Sequence, residues 1–429
     1  MPWKETCKME ERYEFVREAK AGDYGFAESC RRFGISRPVG YKWMDRYEHD
    51  GVEGLKDRSR VPHHCPHALD AGTEEAILGL RATHPQWGPR KLLVKLRESD
   101  PTRRWPASST IGELLRSRGL SVPRRRRRKA TPSSAPFDAC TGANAVWCVD
   151  FKGWFRTQDG RRCDPLTLTD AHTRYLLRCR AVDRPDGPHA RAVLEAAFGE
   201  YGLPVAIRSD NGSPFASTGV GGLTQLSVWW MRLGIGLQRI TPGKPQQNGR
   251  HERMHRTLKE CTATPPARTL RLQQHAFDAF RHEYNHERPH EALGQIPPAR
   301  LYAPSPRAYP SRLPEVVYPD FMVVRSVHEH GQIRLNGTRY FLGHALCEQR
   351  VGLVRIDPRY WLVCFMDVAL GALDLADGVV LDQHQAKRRV PGYDEAKNEC
   401  TSTASPSPRG EGDESPGRPN PMTQTEAKV

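Results

Sequence analysis

The segment "GRHERMHRTLK", residues 249–259, contains the string H-E-x-x-H at His251, Glu252 and His255. On a helix the two histidines share a face and could hold a zinc ion, with the glutamate as general base. Laid out at about 100° per residue, Met254, Leu258 and Cys261 form an apolar stripe, while Asn248, Glu252, His255, Arg256 and Lys259 cluster away from it. Arg250, Arg253, Arg256 and Lys259 would repel a zinc dication. The extended zincin pattern also fails, since Leu258 and Cys261 stand where glycine and histidine belong. A carboxylate leaving the core among cations suits a magnesium site beside a polyanion better than a zinc protease.

Two further acids sit where chemistry would need them. Asp150 interrupts the apolar run "VWCVDFKGWF", where an unpaired buried charge is costly, and an ion-binding role explains it. Asp210 ends "VAIRSD" just before "NG" turns the chain. That places a carboxylate at the carboxyl edge of a strand, a common location for active-site residues in such sheets. The plain alternative is a turn residue capping its own backbone.

The elements that position these residues follow from periodicity. Around them, from Val146, short strands and helices alternate: "PLTLTD", "RYLLRCRAV", a helix over 189–201, "VAIRSD", a helix over 223–233, "LQRIT", the helix with the opening string, and a helix over 270–284. This is an α/β or α+β pattern. Upstream, residues 10–20 read as a helix, and Phe26, Cys30 and Phe33 recur at helical spacing before "GIS". Ser36 is placed to cap a helix over 36–47 with Val39, Trp43 and Tyr47 as its buried stripe. Two short helices across a Gly-containing turn make a helix-turn-helix, whose second helix would present Arg37, Tyr41 and Lys42 to a major groove.

A second helix-turn-helix is expected from Thr73: a helix to Thr83, "WGPRKLLVKLRE", then "PASSTIGELLRSRGL" with Ser108 or Ser109 as cap and Ile111, Leu114 and Leu115 inside. Five arginines and a lysine at 124–129 follow. Such a run repels itself and can lie along phosphates, so Arg124, Arg125 and Arg126 are candidate DNA contacts. Residues 321–375, rich in Val, Tyr and Phe with "NGT" and "DP" turns, read as a small all-β module. The Pro- and Ser-rich end reads as disordered.

The bulk properties agree with a polyanionic partner. The net charge is +15 with arginine unevenly spread. The eleven cysteines occur singly, without a C-x-x-C pair, so neither a disulfide framework nor a thiolate zinc site is expected. "HHCPH" at 63–67 crowds its ligands together without a distant partner pair. No apolar run nears the roughly 18 residues that span a bilayer, and the start has no apolar signal core. A soluble, cytoplasmic, nucleoid-associated protein is the expectation.

Taken together, "WCVDFKGWF", "SDNGSPF", "PGKPQQNGRHERMHRTLK" and "FRHEYNHERPHEALGQIPPARLY" resemble the integrase-core transposases of bacterial insertion sequences, members of the retroviral-integrase-like superfamily with a DDE triad. The resemblance covers nearly the whole chain except its tail. It implies an RNase H-like integrase core over 144–302, flanked by helix-turn-helix modules at 8–60 and 70–122, a basic linker at 123–143, a β-rich module at 315–380 and a disordered tail at 396–429. It maps the triad onto Asp150, Asp210 and Glu252 and implies Mg²⁺, with Mn²⁺ as a substitute. Asp150 would bridge two ions that Asp210 and Glu252 each complete, serving first 3′-end cleavage and then strand transfer into target DNA. On the Glu252 face, His255, Arg256 and Lys259 are candidates for holding phosphates, with Asn211 and Asn248 as positioning groups. Tyr284, Asn285, Arg288 and Pro289 read as packing the last core helix. Joining two element ends implies a homodimer or higher oligomer on DNA.

One departure is that 41 residues separate Asp210 from Glu252, more than the family's common spacing, and the Gly-rich "ASTGVGGL" accounts for the surplus. Two other readings use the same residues differently. A catalytically retired, transposase-derived DNA-binding regulator would be indifferent to loss of the acids. A hybrid-specific RNA nuclease would leave both N-terminal modules unexplained.

Overall fold

A turn closed by glycine organises the first of two units, Met1–Asp70 and Ala71–Val429. The computed structural model describes residues 7–58, 69–121, 140–240 and 249–403. In the first unit α1 (Lys8–Ala21), α2 (Phe26–Arg32) and α3 (Arg37–Asp50) enclose Phe15, Val16, Cys30, Trp43 and Leu55. Gly34, at φ +64°, supplies the left-handed residue that ends α2. Ser36 occupies the cap position of α3, but its side chain makes no cap hydrogen bond. Pro38, in the first turn, removes one of the two N–H donors that a capping hydroxyl uses. The buried stripe is also rotated by one residue: Val39 is 38% exposed and Gly40 takes its place. A Cβ on Gly40 would stand 2.7 Å from Cys30 Sγ and 3.0 Å from the rings of Phe15 and Phe26. Gly40→Ala is therefore expected to destabilise this unit by about 1–3 kcal/mol, read as a lower denaturant midpoint.

The second unit opens with α4 (Ala71–Thr83), α5 (Pro89–Ser99) and α6 (Ser108–Ser117), packed through Ile77, Leu92, Leu96, Ile111 and Leu115. Ala107, not Ser108 or Ser109, holds the cap position of α6, without a side-chain bond. This module is tied to the chain beyond it. Trp87 Nε1 donates to Glu283 Oε1 at 2.8 Å, Lys91 Nζ donates to the Pro289 carbonyl, and Arg90 pairs with Glu291.

A mixed sheet follows, built from β1 (Val146–Phe151), β2 (Phe155–Arg156), β3 (Arg162–Asp170), β4 (Leu176–Val182), β5 (Ala206–Ser209) and β6 (Gly236–Arg239). β3 pairs antiparallel with β1, β2 and β4, whereas β1, β5 and β6 run parallel. The period-two alternation of β3 divides its side chains between two layers. Leu166 and Leu168 join Trp147, Phe198, Trp229 and Trp230 under α7 (Gly187–Tyr201) and α8 (Gln225–Arg232). Cys163 faces α9 (Gly249–Thr262) and α10 (Leu270–His282), in a cluster with Met254, Leu258, Phe277 and Phe280. Asn285 fastens the end of this layer: its Oδ1 accepts from the Leu176 N–H at 2.8 Å and its Nδ2 donates to the Leu176 carbonyl at 3.0 Å. Tyr284 and Arg288 are buried beside it, the packing role expected of them.

The C-terminal module has a five-stranded antiparallel sheet in the order β13-β12-β11-β10-β7 and a separate β8–β9 hairpin. Its strands are β7 (Val323–Ser326), β8 (Gln332–Leu335), β9 (Thr338–Phe341), β10 (Arg350–Arg355), β11 (Tyr360–Phe365), β12 (Val368–Asp374) and β13 (Val379–Asp382). Asn336 and Gly337, both at positive φ, close the hairpin as "NG" predicts. Two helices, α11 (Gln383–Arg389) and α12 (Tyr393–Thr403), pack on this sheet through Ala386, Tyr393 and Cys400, so residues 396–403 belong to a helix and not to the expected tail. Cys364 and Cys400 are bridged, contrary to the expectation of isolated thiols, while Cys30, Cys163 and Cys179 are buried free thiols.

The Gly-rich surplus has a structural use. Leu223, Val228 and Met231 share one apolar cluster with Ile333, Leu353, Phe365 and Leu370 of the β module. A Cβ on Gly221, at φ +65°, would come 2.9 Å from Leu370. The extra residues between Asp210 and Glu252 thus dock the β module against α8. No helix among the described residues is long and apolar enough to cross a membrane.

Candidate active site

The carboxyl ends of β1 and β5 build one edge of the site. The parallel ladder runs from Val146↔Ala206 to Cys148↔Arg208, and Asp150 and Asp210 each stand two residues beyond its last pair. Asp150 falls on the α9 side of the sheet, opposite Thr167 in the β1–β3 ladder. Asp210 Oδ1 accepts from the Gly212 N–H at 3.3 Å, so the turn role read as an alternative is also present. Asn211 Nδ2 donates to the Ile240 carbonyl at 2.7 Å, tying the turn to the end of β6.

Glu252 lies in the first turn of α9 and is exposed, with Arg256 and Lys259 exposed at the following turns of the same face. His255 does not belong with them. It is 4% exposed and His251 is 3% exposed, both turned to the sheet with Met254 and Leu258. His255 therefore cannot hold a phosphate from that face. Thr262, not Cys261, completes the buried arc, and Cys261 is exposed. α9 is covered by β3 on one flank and α10 on the other, so its buried arc is wider than the apolar stripe, and threonines make part of that arc polar.

Those threonines are what the sequence reading missed. Thr167 Oγ1 is 2.6 Å from Nε2 of His251 and 2.6 Å from Nε2 of His255, and it donates to the Asp150 carbonyl at 3.2 Å. Thr169 Oγ1 lies 3.1 Å from Nδ1 of His251. His255 Nδ1 stands 3.9 Å from Asp150 Oδ2. Burial lowers the pKa of His251 to about 3, and burial together with the neighbouring His251 and Lys152 lowers that of His255 further. The alternation of "PLTLTD", with threonines two apart, is the sequence signal for this polar seam.

Among the described residues, the group whose ligand atoms lie within 4.8 Å of one another is Asp150, His251 and His255. Asp210 and Glu252 are not in it. Glu283, on the segment after α10, is engaged elsewhere: it accepts from Trp87 Nε1 and stands 3.8 Å from the Arg288 guanidinium.

The other predicted contacts divide in two. Arg37, Tyr41 and Lys42 are all exposed on α3, with the Tyr41 ring stacked 4.2 Å from Phe26. Arg124, Arg125, Arg126, Asn248 and the "HHCPH" cluster lie outside the described residues. An unforeseen aromatic lies just past β1: Trp154 is 56% exposed, with the guanidinium groups of Arg156 and Arg162 at 5.7 and 5.3 Å from its ring.

Comparison with known proteins gives a consistent picture. Residues 141–245 and 233–298 each match a family described as an integrase core domain, residues 11–63 a helix-turn-helix domain and residues 39–115 a homeodomain-like domain. Over 195 residues the chain is 32% identical to an uncharacterized protein of insertion element IS407 from Burkholderia multivorans, covering 45% of this chain and 68% of that one. Over 284 residues it is 28% identical to an uncharacterized protein of insertion element IS476 from Xanthomonas euvesicatoria, covering 64% and 71%. Among solved structures, the HTLV-2 integrase catalytic core domain in complex with magnesium is 14% identical, with a TM-score of 0.31, covering 38% of this chain and 99% of that one.

Proposed function

Because the chain belongs to the integrase-core transposases of bacterial insertion sequences, we propose that it cleaves the 3′ ends of such an element and joins them to target DNA in a Mg²⁺-dependent reaction. The observation that carries this reading is the placement of Asp150 and Asp210 at the carboxyl ends of neighbouring parallel strands, with Glu252 exposed in the first turn of α9. Three carboxylates on separate elements, with water left in the remaining positions, suit the oxygen-rich coordination of Mg²⁺. When bound, such ions activate an attacking oxygen and stabilise a leaving one in an in-line displacement.

The chain's own residues do the rest. Asp150, Asp210 and Glu252 hold the ions, Arg256 and Lys259 hold DNA phosphates on the Glu252 face, and Arg37, Tyr41 and Lys42 read element ends from α3. The arginines at 124–126 follow the backbone, and two protomers or more bring the ends together. No covalent enzyme intermediate is needed, because water and then a 3′-hydroxyl supply the nucleophiles.

The test is to incubate DNA flanking the gene with protein and a supercoiled target, with Mg²⁺ or Mn²⁺ and with chelator. Joined products only with metal are expected. Tight end binding without joining under either metal would favour the retired regulator, the second reading, which the approach of His255 to Asp150 makes worth testing. Trp154 supplies a finer check. An exposed ring beside two guanidinium groups is a platform for an unpaired base, worth about 1–3 kcal/mol per stacked base. Trp154→Ala should lower joining by roughly 5- to 150-fold, with Trp154→Phe recovering most of it.

A further inference from the structure

The Thr167 hydroxyl has three partners: the Asp150 carbonyl, Nε2 of His251 and Nε2 of His255. A hydroxyl carries one proton and two acceptor lone pairs. A carbonyl can only accept, so the proton goes to Asp150 and both imidazoles donate Nε2–H to Thr167. With Nε2–H given to Thr167, Nδ1 is the nitrogen each ring has left to offer as an acceptor. For His251 that acceptor is filled, because Thr169 Oγ1 donates to it at 3.1 Å. For His255 it faces Asp150 Oδ2 across 3.9 Å. These two atoms belong to the group of possible ligand atoms that lie within 4.8 Å of one another. Bonds of about 2.1 Å from one ion to nitrogen and to oxygen fit that gap.

We propose that Nδ1 of His255 is a nitrogen ligand, beside the Asp150 carboxylate, of the divalent ion used in the reaction proposed above, on which this inference rests. Thr167 is the positioning residue that fixes the tautomer, as carboxylates and carbonyls do behind other metal-bound histidines. His251 takes no part in coordination, since both its nitrogens are committed. An imidazole in an otherwise oxygen-donor set shifts preference away from Mg²⁺ towards transition ions.

The experiment is Mn²⁺ binding to the full-length protein without DNA, followed by electron paramagnetic resonance and read for nitrogen coupling by electron spin-echo modulation. Wild type and His251→Gln should both show coupling to a directly bound imidazole nitrogen. His255→Gln retains a donor able to reach Thr167 but has no nitrogen at the Nδ1 position. It should bind Mn²⁺ at least about tenfold more weakly and lose the coupling. Asp150→Asn should lose the ion. Oxygen-only coupling in wild type, coupling that survives in His255→Gln, or no Mn²⁺ bound through Asp150 would each overturn the inference. Labelling wild type with ¹⁵N-histidine gives the same readout without a variant. Nitrogen coupling in a protein that joins no ends leaves this site standing and removes the transposition reading; joining with oxygen-only coupling does the reverse.

Discussion

Asp150→Asn is expected to reduce joining of element ends to target by roughly 1000-fold or more, the equivalent of about 4 kcal/mol of lost transition-state stabilisation. Binding to the same ends stays within about twofold, because the proposed end-reading residues belong to α3, in the other unit. The substitution keeps size and shape on the half-buried end of β1, so the melting temperature is not expected to fall. Gel-shift titration beside the joining assay separates the outcomes. Retained joining removes Asp150 from the reaction, and loss of both binding and joining points to a folding defect instead. Asp210→Asn and Glu252→Gln, tested alongside, decide whether the acids outside the Asp150–His255 group act with it.

The second large effect is acid lability of the unit that carries the core. His251 and His290 are both lowered by burial to about 3, and His255 is lowered further. Below the unfolded-state value near 6.5 the unfolded chain binds protons that the folded chain refuses, so stability is lost as pH falls through 6.5. Each such histidine contributes about 1.4 kcal/mol per pH unit, and three together roughly 4 kcal/mol per unit. Lys91, lowered to about 7 chiefly by burial, acts in the same sense at higher pH. The unfolded chain keeps that lysine protonated up to about 10.5, so stability still rises with pH between 7 and 10.5. Denaturant midpoints measured from pH 5 to 8 should climb throughout, most steeply below 6.5. A flat profile between pH 7.5 and 5 would show that these rings are not buried as neutral groups.

Much of the architecture was legible because it depends on short-range patterns: the Gly34 turn, the strand alternation around "PLTLTD" and the "NG" hairpin are local features with local causes. The three proposed acids stand out in the sequence because each breaks its context, a charge in an apolar strand, a carboxylate before a turn, a glutamate leaving a core face. The side of α9 on which His255 falls was not legible, because a helical wheel ranks residues by polarity and cannot see that the facing strand offers hydroxyls. Polar residues can be buried when their partner surface is polar in the matching places. The same blindness explains Val39 and Gly40, where close approach of three helices selects the smallest residue over an apolar one. It also explains α12, whose polar sequence looks like tail until Cys400 and Tyr393 find the β module.

The bonds from Trp87 and Lys91 to Glu283 and Pro289 fasten the second helical module to the segment that follows α10. A duplex gripped by that module would therefore meet the carboxylates at a set number of base pairs from its grip. On the reading proposed, the protein is then a caliper: the position of the cut within an element end is measured by protein geometry, and an insertion of half a helical turn of DNA between grip and cut would turn the scissile phosphate to the wrong side.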